Sequence, residues 1–101
     1  MTDTEKTSGP LAFDASFPPD ERFVSTAADL AAKLATAAGC SEGVAEDVRL
    51  AVDAAFRLAL SGDRPDGLDI ELSLRTSGAS LDADVTCGGE TLLRCSHPRS
   101  G

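Results

Sequence analysis

The 101-residue chain has no tryptophan, no tyrosine and only four phenylalanines. Its interior must therefore be assembled from Ala, Leu, Val and Ile, a core that packs finely but buries modest area. Stability built that way is marginal, and a partner or a second copy can add to it. Basic residues are also scarce: nine Lys and Arg stand against 17 Asp and Glu, for a net charge of −8. Such a surface repels phosphate backbones, and the Arg and Lys are scattered rather than gathered into a patch, which excludes nucleic acid as the expected partner. No apolar run reaches the length of a membrane span, and residues 1–10 lack the apolar centre of a signal peptide, so the expected compartment is the cytoplasm. The three cysteines, Cys40, Cys87 and Cys95, are odd in number and form no CxxC pair. That pattern belongs to a reduced, intracellular protein rather than to a disulfide framework.

What is present is enough for one folded domain, since 42% of the residues are hydrophobic. Residues 1–10 are polar and read as a flexible lead-in, 11–95 as the domain, and 96–101 as a polar tail. Leu11, Phe13, Ala15 and Phe17 alternate with small or polar residues, the period-two mark of a half-buried strand ended by Pro18-Pro19. Asp20 is placed to cap a helix running to about Ala38, with Phe23, Ala27, Leu30, Leu34 and Ala38 along one face and Gly39 as its stop. Ser41 caps a second helix running to about Ser61 and closed by Gly62. Its apolar positions Val44, Val48, Val52, Ala55 and Ala59 are widened by Leu50, Ala54, Leu58 and Leu60, which reads as a central helix. Glu46, Arg49, Asp53 and Arg57 form its one polar ridge, at spacings that allow ion pairs.

After a loop over 63–67, Leu68, Ile70, Leu72 and Leu74 alternate strictly with polar residues, and Leu81, Ala83, Val85 and Cys87 do the same beyond a turn at Ser77-Gly78. Gly88-Gly89 suits a two-residue hairpin turn, and a weaker strand covers Thr91 to Cys95. The expected fold is α+β: a two-layer sandwich with two helices on one face of a mostly antiparallel sheet, in the order β-α-α-β-β-β, with the first strand at the sheet edge.

Candidate chemistry is thin. Cys87, Cys95 and His97 lie close enough in sequence to be weighed as metal ligands, but they lack the paired spacing of zinc sites, so no metal is expected. Gly88-Gly89 between alternating strands is a turn rather than a phosphate cradle. His97, the single histidine, stands beside Pro98 in the tail, where nothing orients it for a catalytic triad. Cys40, between a helix-ending glycine and a helix-starting serine, is a minor redox candidate because a thiolate there would meet a helix N-terminus.

The order of elements, the opening Phe17-Pro18, the first helix ending in Ala38-Gly39 and the string Glu46-Asp47-Val48-Arg49-Leu50-Ala51-Val52 resemble the bacterial anti-sigma serine kinases. Those proteins belong to the GHKL (Bergerat-type) ATPase superfamily, and the resemblance covers roughly residues 11–90. It implies a truncated GHKL-like sandwich. It also shows where this chain departs. After the Ala-Val pair the family reads approximately Ser-Glu-Ala-x-x-Asn, its Glu the base for phosphoryl transfer and its Asn the magnesium ligand. Here Ala54 stands in the Glu position and Leu58 in the Asn position, and neither can take a proton or ligate a hard cation. In the family's Asp-x-Gly-x-Gly segment the Asp recognises adenine; Cys87 replaces it here, and a thiol is a weak hydrogen-bond partner. The glycine-rich lid and a later Gly-Thr-Gly motif are missing from these 101 residues. Asp53 is one residue from the Glu position, which on a helix turns it about 100° from the pocket.

The resemblance therefore implies a degenerate, pseudokinase-like regulator with no cofactor and no catalysis. It would bind a sigma factor or a STAS-type anti-sigma antagonist without ATP. Contacts in the relatives include the first helix, which points to Arg22, Ser25, Thr26, Asp29 and Lys33. The alternatives are a residual ATP-binding protein or serine kinase, and a homodimeric structural module whose sheets pair edge to edge.

Overall fold

The computed structural model of the chain describes residues 11–62 and 67–99. The lead-in over 1–10, most of the loop over 63–67 and the last two residues fall outside the described residues. The chain is an α+β two-layer sandwich in the order β-α-α-β-β-β: β1 (Ala12–Phe17), a 3-10 turn (Glu21–Phe23), α1 (Val24–Ala37), α2 (Glu42–Ser61), β2 (Ile70–Ser77), β3 (Ser80–Cys87) and β4 (Glu90–Pro98). Both helices lie on one face of a four-stranded antiparallel sheet whose spatial order follows the sequence, β1-β2-β3-β4, so β1 is indeed an edge strand.

Period-two alternation decides which face of each strand is buried. Ile70, Leu72 and Leu74 of β2 and Leu81, Ala83, Val85 and Cys87 of β3 are buried beneath the helices, while Phe13, Ala15 and Phe17 of the edge strand are half-buried. The opposite face is open and polar, and it is knitted by cross-strand contacts. Ser73 Oγ donates to Asp14 Oδ1 at 2.5 Å, Arg75 reaches Asp14 at 3.3 Å, and Arg94 reaches Asp84 at 3.3 Å. Both hairpins use two-residue turns. At Gly88-Gly89 both φ values are positive (60° and 84°), the backbone that a primed hairpin turn requires and that glycine adopts without steric cost.

The helix layer is set by small residues. Ser41 Oγ accepts from the Val44 amide at 3.2 Å to start α2, and Gly39, at φ 97°, ends α1 in the left-handed region. Asp20 caps the 3-10 turn, not α1 directly. The deepest α1 residues are Val24, Ala27, Ala28, Ala31 and Ala35, whereas the larger Phe23, Leu30 and Leu34 sit half-buried on the flanks. The stripe expected from the sequence is therefore rotated toward the alanines, because beyond Val24 a helix seated this close has room for little more than methyl groups at its line of contact. On α2, Ala45, Val48, Val52, Ala55, Phe56 and Ala59 are buried. Leu50, Ala54 and Leu58 instead point to solvent and Leu60 is half-buried, so α2 is a surface helix with an apolar outer ridge and not a central one.

Beyond Cys95 the chain stays in the sheet. β4 continues through Ser96, His97 and Pro98, with Leu81 opposite His97 and Ser80 opposite Pro98. Arg99 then fastens this end: its Nε donates to the Ala38 carbonyl at 2.8 Å and its Nη1 to the Gly78 carbonyl at 2.6 Å. One guanidinium thus joins the C-terminus of α1 to the β2–β3 turn and satisfies a carbonyl that the helix leaves without an internal partner.

Two stability measurements follow from this packing. Arg99→Ala should lower the unfolding free energy in urea by about 1–2 kcal/mol, and Arg99→Lys should recover less than half, since an ammonium lacks the planar fork that serves two carbonyls. Ala31→Leu, adding three carbons where the residue is fully buried, should cost about 1–3 kcal/mol by overpacking.

Candidate functional site

The outer face of the helix layer is where the exposed side chains of sequence interest converge. It begins at the 3-10 turn, where Asp20 Oδ1 accepts from the Arg22 amide at 2.9 Å and Asp20 Oδ2 from Arg22 Nη2 at 2.7 Å. The hydrogen bonds from Arg22 hold the Asp20 carboxyl below its ordinary range, and Asp20 in turn raises Arg22. Arg22 is thus held by a neighbour while its side chain remains 82% exposed. Ser25, Thr26, Asp29 and Lys33 follow along α1 and are all exposed. The structure therefore leaves all five positions singled out from the sequence open to solvent.

The polar ridge of α2 forms the ion pairs that its spacing allowed. Arg49 Nε donates to Glu46 Oε1 at 2.9 Å with a second contact between Arg49 Nη2 and Glu46 Oε2, and Arg57 Nε donates to Asp53 Oδ1 at 2.6 Å. Hydrogen bonding to Arg49 lowers Glu46 from the usual carboxylate range. Arg49 is raised by Glu46 first and also by Asp29 across on α1, and Arg57 by Asp53 first and also by Glu21. Those longer-range pairings run Glu21 with Arg57 and Asp29 with Arg49, so the two helices are antiparallel and this charged rail borders the furrow between them.

Beyond the rail lies the apolar ridge. Leu50 (53% exposed) and Leu58 (50% exposed) are the only large hydrophobic residues exposed among the described residues, and the exposed Ala54 sits midway between them. The spacing of four residues puts all three on one side of α2, on the flank turned away from Arg49. Leu58 and Ala54 thus stand together on the solvent side of the helix layer. Cys87 is elsewhere, buried at the end of β3 opposite Ile70 and facing the helices from the sheet. The three positions aligned with a nucleotide site do not line a common cavity among the described residues, and Ala54 and Leu58 fill no interior space. Asp53 is engaged by Arg57.

Other candidates are rearranged as well. Cys95 and His97 share the helix-facing side of β4, opposite Ala83 and Leu81. Cys87 is four residues along β3 from Ala83, about 13 Å away at the rise of a strand. The trio cannot converge on one ion, and among the described residues no group of three His, Cys, Asp or Glu could hold a metal. Cys40 is buried, and burial pushes its thiol up, Arg99 only partly opposing, the reverse of the lowering that an activated thiolate needs. Burial likewise raises Cys95, aided by the carboxylates of Asp84 and Asp82. His97 is held in the sheet after all, with Nε2 buried and without a hydrogen-bond partner. Neither the Arg99 clamp nor the place of His97 was visible in a tail read only as polar. No family model, curated protein or solved structure matches this chain.

The thiols give a test of this geometry. At pH 8 the folded chain should react with Ellman's reagent at least about tenfold more slowly than the urea-unfolded chain. Because Cys40 and Cys95 are raised above the ordinary 9.0, their contribution to stability is complete below that value and is lost as pH rises through their folded values. The urea midpoint should therefore fall on the alkaline side of pH 9 and fall less in a Cys40→Ala, Cys95→Ala variant.

Proposed function

We propose that this chain is a non-catalytic regulatory module of the bacterial cytoplasm that works by binding another protein. In form it is an anti-sigma factor on a degenerate, pseudokinase-like GHKL scaffold, and its partner is a sigma factor or a STAS-type anti-sigma antagonist bound without ATP. The observation that carries a binding role is the outer face of the helix layer. There, a large apolar pair, Leu50 and Leu58, stays in water beside a row of exposed polar residues on α1. Leaving two leucines half exposed forgoes roughly half of the 1.5–3 kcal/mol that full burial of each contributes, a loss that contact with a partner recovers.

The chemistry of the residues aligned with the kinase box supports the same reading. Alanine and leucine at positions 54 and 58 offer no oxygen to a magnesium ion and no base to a hydroxyl group. No helix among the described residues is long and apolar enough to cross a membrane, which accords with a role among soluble partners. On α1, Arg22, Ser25, Thr26, Asp29 and Lys33 supply the polar contacts to the partner, with charges of both signs that favour register over bulk attraction.

Calorimetric titration against a panel of purified sigma factors and STAS-domain antagonists tests the proposal. One member should bind saturably, and Asp29→Arg with Lys33→Glu should weaken it at least tenfold, roughly, without changing the melting temperature. ATP with magnesium should give no heat of binding. Saturable ATP binding, or a panel from which nothing binds, overturns the proposal.

A further inference from the structure

We draw no further inference here: the strongest candidate, the groove on the open face of the sheet lined by Asp14, Glu71 and Asp84, is a cluster of carboxylates already engaged in part by Ser73, Arg75 and Arg94, and nothing in the structure shows what would fill it.

Discussion

The fold depends on how closely α1 and α2 can settle on the sheet with almost no aromatic residues to fill the space between. Five of the buried positions on the α1 side are Ala27, Ala28, Ala31, Ala35 and Ala38, and Phe56 is the largest side chain wholly inside. Methyl groups at the contact line bring backbones near to one another, and dispersion contacts then do much of what larger side chains do in other cores. Phe56 anchors the layer at one end. Its ring meets Phe17 edge-on at 5.4 Å, and Phe17 in turn lies 6.3 Å from Phe23, so one aromatic chain links α2, β1 and the start of α1.

That economy has a consequence at the surface. A thin alanine-based core accepts only a narrow stripe from each helix, and the leucines outside the stripe have nowhere to go. On α1 they are tucked along the flanks as Leu30 and Leu34; on α2 they become the exposed pair Leu50 and Leu58. The outer face thus combines surplus apolar area with charges already satisfied by Arg49–Glu46 and Arg57–Asp53. Exposed ion pairs of this kind add little stability. The sandwich's other face, the open side of the sheet, is polar and closed by its own cross-strand contacts.

Much of this was legible beforehand, for reasons that differ by element. Strict alternation over Leu68–Leu74 and Leu81–Cys87 leaves one way to bury a strand, so β2 and β3 and their buried faces were readable. Ser41, Gly39 and Gly88-Gly89 marked boundaries because cap and turn geometry demands those residues. Helix faces were harder. When leucine and alanine both occur around a helix, periodicity gives the axis of the stripe but not which residues the neighbouring layer has room for. Hence the tilt toward Ala28 and Ala31 on α1, and the reversal of Leu50, Ala54 and Leu58 on α2. The last strand was cut short at Cys95 because Ser96 to Arg99 look like a tail, whereas main-chain pairing with Ser80 to Asp82 carries no composition signal. The α2 ion pairs were readable from spacing alone, whereas the α1 positions came only from the family resemblance; the Arg99 clamp spans 61 residues to Ala38 and was readable from neither.

The central claim is that the outer helix face, and not the sheet or its edges, is the working surface of this molecule. Leucine-methyl NMR of the full chain, recorded as a sigma factor or STAS-domain antagonist is added, tests it most directly. The methyl signals of Leu50 and Leu58 should move as the partner is added, while those of the buried Leu72, Leu74 and Leu81 stay fixed. Shifts confined to Leu92 and Leu93 on β4, with Leu50 and Leu58 unmoved, would contradict it.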